Sequence, residues 1–153
     1  MRFAIIYKME TMIDLLNKLL RVNLDASQGY AYAAEKIDND NFRNFLLSYA
    51  NRRNRYAEEL KAAIAESGGE THESTTLLGE LHQAFMKLRE SVSPVSDSAL
   101  LDECVRGEGE AISQYKKVLE TNDLKPQLRR LIMTQFDKIR AARNTMQELE
   151  RVV

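Results

Sequence analysis

Two histidines, one cysteine and a scatter of carboxylates are the residues of this chain whose types could do chemistry. Chemistry on a pair of metal ions needs carboxylate oxygens to neutralise the cations and imidazoles to complete the shell. On helices that set is one Glu from each of two helices and a Glu-x-x-His from each of two others, the three-residue step putting both ligands on one face. No Glu-x-x-His occurs in the sequence. The segment nearest to it in register, "RNRYAEEL", has Arg53 standing at the glutamate and Tyr56 at the histidine. Glu108 is the one carboxylate left at a ligand-like position, and a single carboxylate beside a cation does not hold two metal ions.

The remaining candidates each have a plainer reading. His82, near Phe85, has no cysteine or second histidine at helical spacing, so a hydrogen-bonded packing histidine is favoured over a ligand or general base. Cys104, between Leu101 and Val105, reads as a buried, inert thiol rather than a reactive one. Arg129, Arg130, Lys138, Arg140 and Arg143 could form a basic face, but Asp137, Glu148 and Glu150 interrupt it, and a solvated, salt-bridged surface is the default. "GEG" at 107–109 lacks the preceding strand and the lysine of a phosphate loop. Its glycines instead permit close helix approach beside Glu108, or a local bend.

Positioning these residues falls to helices. Of the 6 glycines and 2 prolines, both prolines and the Gly68–Gly69 pair fall at "SGGE", "SVSPVSD" and "DLKPQ". Long helical runs lie between them, with no convincing strand. The pattern predicts helices over about 9–37, 40–67, 75–92, 97–121 and 126–151. "IDNDN" and "TNDLKP" are short polar connections, which make antiparallel hairpins of the first two and the last two, with Pro126 suited to a first turn. Leu77, Leu78, Leu81, Phe85, Leu88 and Val92 form an amphipathic stripe on the middle segment. About 18 residues at 1.5 Å each span roughly 27 Å, enough to return from one bundle end to the other. The expectation is an all-α, up-down-down-up four-helix bundle with an additional helix in its long crossover. Residues 1–8 are set apart as an N-terminal extension, and 9–153 as a single domain.

Core seams at 3–4 spacing bring out one polar residue per helix: Asn23, Arg53, Glu108 and Gln135. Asn23 and Arg53 lie about 15 residues from their shared turn, and Glu108 about 11 residues into its helix from the same end. That offset is about one helical turn, which a long arginine can bridge. A guanidinium keeps its charge wherever it is placed, so a buried one needs a carboxylate and further acceptors. An Arg53–Glu108 pair in the interior is therefore expected, with Asn23, Gln135 and hydroxyls of Tyr30, Tyr49, Tyr56 or Tyr115 completing a network. The alternative is a slightly rotated seam from which Arg53 reaches solvent.

Composition narrows the function classes. A formal charge of −1 lacks the basic excess of a nucleic-acid binder. With 44% hydrophobic and 29% charged residues, the chain is that of a globular domain rather than a disordered one. No segment approaches the roughly 20 apolar residues that span a bilayer, and the opening "MRFAIIYK" is too short in its apolar run for a secretory signal. The lone cysteine fits a reducing cytosol.

"LLRVNLDASQGYAYAAEKI", "RRNRYAEELKAAIAESGGE", "LLGELHQAF" and "RGEGEAISQYKKVLE", in that order, resemble a bacterial ferritin-like four-helix-bundle family catalogued as a domain of unknown function. The resemblance runs from about residue 13 to the C-terminus. At the position of Phe85 that family often has tryptophan, a conservative departure. The resemblance implies the ferritin-like fold and a bacterial, cytoplasmic setting, and it supplies no catalytic residues. The leading expectation is a non-enzymatic bundle without a cofactor, its ancestral metal site replaced by the internal pair. Its role would be protein interaction or a stress-associated structural one, through an unknown protein partner or self-association, for instance as a homodimer. The rival is an iron-handling protein with an atypical site using Glu108 and His82. A weaker third reading is a small-molecule binder in the tyrosine-lined interior.

Overall fold

The computed structural model describes residues 2–72 and 95–152, and within the first helix the side chains of 4–10 are left out of account. Four long helices make up the described chain: α1 Arg2–Lys36, α2 Asp40–Glu66, α3 Asp97–Leu119 and α4 Pro126–Glu150. The last three match the expected spans closely. The first starts earlier than expected, its helix running without a break through the residues set apart as an extension. No strand occurs among the described residues. The expected crossover helix over 75–92 lies outside them.

Local chemistry fixes where each helix starts and stops. Asn39 caps α2, its side chain accepting from the backbone N–H groups of Asn41 and Phe42, and Ser96 caps α3 by accepting from Ala99. Pro126 opens α4, where its missing N–H is no loss. After α2 the chain turns at Gly68, whose φ of 77° is the left-handed conformation that glycine adopts without penalty. Gly69 N–H then donates to Ile64 O and Gly68 N–H to Ala65 O, which closes the helix end with the paired bonds of a Schellman motif. A side chain at Gly69 would stand 2.8 Å from Ile13, so that position is also sterically reserved.

The two hairpins use the same device at their turns. Arg43, in the first turn of α2, donates to Ala34 O and Ile37 O at the end of α1 and pairs with Asp40. Arg129, in the first turn of α4, donates to Leu119 O and Thr121 O at the end of α3. Each guanidinium satisfies carbonyls that a helix C-terminus leaves without partners. Arg129 is thus committed to a helix end, not to the basic face considered from sequence.

Two apolar clusters fill the interior. One gathers Leu16, Leu19, Leu20, Leu60, Ile64, Val118, Ile132 and Phe136, and the other Ala33, Ile37, Leu46, Leu100, Leu101, Ala142 and Met146. α1 and α4 run from the first cluster to the second, whereas α2 and α3 run from the second to the first. That is the up-down-down-up order. Asp38 N–H donates to Asp97 Oδ1, tying the first turn to the start of α3 at one end of the bundle. At the other end Asn17 holds the chain leaving α2, donating to Glu70 O and accepting from His72 N–H. α2 therefore ends far from where α3 begins, as a crossover bundle requires.

Candidate functional site

Between the two apolar clusters lies a belt of buried polar side chains, and it has two layers. In the upper layer Arg53 of α2 faces Glu108 of α3, Nη2 to Oε1 3.5 Å, each side chain 2% exposed. The expected interior pair is present and Arg53 does not reach solvent. The contact is one of charge only. Arg53 Nε, Nη1 and Nη2 and Glu108 Oε2 all lack a hydrogen-bond partner. The Tyr30 hydroxyl, on α1, is near enough to act on Glu108 but falls short of hydrogen-bond geometry.

The lower layer is neutral and nearly closed, with Asn23 Oδ1 left without a partner. Asn23 Nδ2 donates to Leu19 O at 2.7 Å and to the Tyr115 hydroxyl at 2.8 Å. Tyr115 passes its own proton to Gln135 Oε1 at 2.7 Å, and Gln135 Nε2 reaches Tyr56 O at 3.3 Å. One relay thus joins α1, α3, α4 and α2. Asn23 and Tyr30 are seven residues apart, as are Glu108 and Tyr115, so the layers are separated by about two turns, roughly 10 Å.

This corrects the single network expected from sequence. Asn23, Gln135 and Tyr115 do bond together, but not to the ion pair. Tyr56 contributes its backbone carbonyl rather than its hydroxyl. Tyr49 stacks edge-on with Phe45, ring centroids 4.4 Å apart, under the Arg52 guanidinium, and its ring also packs against that of Tyr30, 5.7 Å between centroids. Seam spacing placed side chains on the correct face but could not say which hydroxyls would meet.

Burial dominates the electrostatics. It raises the Glu108 carboxyl above its ordinary value, against the opposing pull of Arg53, Tyr30 and Arg143. Tyr30 is raised well above its usual value by burial and then by Glu108. Tyr115 is pushed up to about 12, again by burial first. Burial also raises the Cys104 thiol strongly, in keeping with an inert cysteine. Arg143, read from sequence as part of the outward basic face, is half-buried, with its Nε enclosed and lacking a hydrogen-bond partner. A Cβ added at Gly109 would stand 4.0 Å from Arg143, an ordinary contact, so this second cation near Glu108 does not depend on a glycine there. Asn17, Asp25, Ser27 and the half-buried Arg143 are the polar positions that the seam reading missed. Asn17 lies one residue off the written seam, and Arg143 follows the seam residue Ala142.

An open cleft of about 210 Å³ leads to the upper layer between α1 and α3. Gly29 and Tyr30 line it from one side, Cys104 and Gly107 from the other, and Arg53 and Glu108 are exposed to its interior. Gly107 thus opens a cleft, and α3 runs as a helix through both glycines.

The profile of the domain of unknown function DUF2383 matches residues 11–121. The chain belongs to this family. Its fold is ferritin-like. A bacterioferritin-related protein from Bacteroides fragilis, described as a dodecameric thioferritin, superposes with a TM-score of 0.76 at 17% identity, over 92% of this chain and 84% of that one. A Dps1 point mutant from Mycobacterium smegmatis superposes with a TM-score of 0.79 at 16% identity, over 94% and 97%. No curated protein matches the DUF2383 chain in sequence. Identities this low establish the shared fold alone.

A pair of metal ions does not fit the residues at the centre of this bundle. Arg53 places a positive charge beside Glu108, and two cations there would repel it and lack counter-charge among the described residues. Among the described residues no three of His, Cys, Asp or Glu are grouped to hold a metal ion. His82, the partner of Glu108 in the atypical metal site, lies outside the described residues. No helix among them is long and apolar enough to cross a membrane.

Proposed function

We propose that this DUF2383 protein is a non-enzymatic ferritin-like bundle, braced internally by an ion pair in place of a metal centre and acting through its surface. The observation that carries this reading is the complete burial of Arg53 against Glu108. A guanidinium at the heart of the bundle supplies the positive charge that metal ions would otherwise bring, and it is permanent. The work then passes to the outer faces, and self-association is the favoured form. The fold is that of a bacterioferritin-related protein described as dodecameric, and this chain carries the exposed apolar side chains Leu47 and Met133 on its outward helix faces.

The test is metal content with assembly state. The protein is purified without chelator, loaded anaerobically with ferrous iron and stripped of excess, and iron per chain is measured alongside mass by light scattering. The expected result is iron near zero per chain and a mass above that of the monomer. One or two tightly held irons per chain would overturn the reading in favour of an iron-handling site, and a strictly monomeric protein would remove self-association from it.

A further inference from the structure

The upper layer is incomplete in a way that points to a ligand. Buried polar groups are almost always hydrogen-bonded, yet Arg53 has three nitrogens without an acceptor and Glu108 and Tyr30 each have an oxygen without a partner. These groups are 2–3% exposed, and all three residues line the same cleft. The lower layer, two turns away and equally buried, leaves one atom, Asn23 Oδ1, without a partner, against five in the upper layer. Polar residues placed in this core can therefore satisfy most of their groups among themselves. The five open atoms of the upper layer gather where the cleft opens.

The charges specify what would fit. The floor offers donors from a cation and an acceptor from a carboxylate only 3.5 Å apart. The walls add Asp25, Glu103 and Glu110 against one further lining cation, Arg106, which pairs with Glu103. A simple anion would have to pass this acidic wall, and a simple cation would meet Arg53 at the bottom. A molecule carrying both charges on neighbouring atoms avoids both penalties. Its carboxylate meets the planar fork of Arg53, which suits that group bidentately. Its ammonium meets Glu108 Oε2 and the acidic wall. The volume of about 210 Å³ exceeds the roughly 150 Å³ of an engineered cavity that takes benzene, so the occupant has on the order of six to ten heavy atoms.

We propose that the α1–α3 cleft is a binding site for a small zwitterionic amino acid, its carboxylate held by Arg53 and its ammonium by Glu108. This rests on the interior ion pair but is independent of self-association. Binding at this site would place a ligand between two helices and draw α1, α2 and α3 together through one small molecule.

Chelator-treated full-length protein is titrated with glycine, L-alanine, L-serine and L-valine, with acetate, methylammonium and acetamide as partial probes, and followed by backbone amide NMR shifts. At least one amino acid should bind saturably and at least tenfold more tightly than any partial probe, shifting the Gly29 and Gly107 signals. Gly107→Leu fills the cleft while changing neither charged residue, and should abolish binding. Arg53→Met/Glu108→Leu, which removes both charges together, should abolish it as well. No saturable shift with any amino acid means that water alone completes the layer and overturns the proposal. Acetate or acetamide binding as tightly as the amino acids, or binding that survives either variant, overturns it too. Metal content is read in a separate assay, so bound iron would count against the proposed function without deciding this one.

Discussion

The two polar layers of this bundle are a natural experiment in burying hydrogen-bonding groups. Both sit between the same apolar clusters, the lower drawing on all four helices and the upper on α1, α2 and α3. The lower one uses neutral amides and a phenol that alternate as donor and acceptor, and its chain of bonds runs from Leu19 O to Tyr56 O. The upper one uses full charges, and most of their hydrogen-bonding capacity is unused. Neutral groups stabilise by completing one another at about 1 kcal/mol net per bond. Charged groups hold together chiefly because separating them leaves one charge stranded. The upper layer therefore resists single changes yet contributes little as a pair, whereas the lower layer contributes as a unit.

The largest test of this contrast is Arg53→Ala. Removing one partner of a buried ion pair costs about 3–5 kcal/mol, and the urea midpoint should fall accordingly. The double variant Arg53→Met/Glu108→Leu should recover most of that loss, because no charge is left without a counter-charge. A double variant no more stable than the worse single one would mean that the pair itself stabilises the fold. Next in size is Tyr115→Phe. It removes the central link of the lower relay and strands Gln135 Oε1 at a fully buried position, which should cost about 1–3 kcal/mol. A loss below about 0.5 kcal/mol would show that this relay is not what holds the lower layer.

Much of this was legible in the sequence because helical periodicity is a strong signal and Gly68, Gly69 and Pro126 mark helix boundaries. The four helices, their order and the inward faces of Asn23, Arg53, Glu108 and Gln135 all follow from the 3–4 spacing. The reach of Arg53 to Glu108 followed from rise per residue and side-chain length. What spacing could not give was the division into two layers. Whether Tyr115 or Tyr30 completes a network depends on shifts of about one ångström between helices, below the resolution of a periodic pattern. The roles of Arg43 and Arg129 were hidden for a different reason. Their position in the first turn of each second helix is visible, but their targets belong to the end of the helix before, across a turn whose path the sequence leaves open. The cleft was also invisible, because Gly29 and Gly107 come to line one opening only once α1 and α3 have packed.

A third test separates the layers by pH. Burial raises Glu108 above the ordinary value near 4.5, so the folded protein binds a proton there more tightly than the unfolded chain does. The stability from this group is then fully present below about pH 4.5 and is lost as pH rises through the folded value, the reverse of a salt-bridged surface acid. The difference in unfolding free energy between the wild type and Glu108→Gln should decline with rising pH above about 4.5, by at most about 1.4 kcal/mol per pH unit. The lower layer has no group titrating in that range, Tyr115 lying at about 12, so the corresponding difference for Tyr115→Phe should be flat. A flat profile for both variants would mean that Arg53 and its neighbours fully offset the burial of Glu108.

The smallest expected effect is the most discriminating, because it repeats one substitution in the other layer. Tyr30→Phe deletes a buried hydroxyl that has no hydrogen-bond partner. Nothing is stranded by its loss, and a buried polar atom without a partner is itself a cost. Its stability should therefore change by less than about 0.5 kcal/mol in either direction, or rise slightly, where Tyr115→Phe falls clearly. Both tyrosines are buried on inward helix faces, and the same oxygen atom is removed from each. A difference between them can then come only from what each hydroxyl touches. If Tyr30→Phe instead costs as much as Tyr115→Phe, the Tyr30 hydroxyl closes onto Glu108 in solution. Tyr30 and Glu108 would then satisfy each other, and only the three nitrogens of Arg53 would be left to call for a ligand.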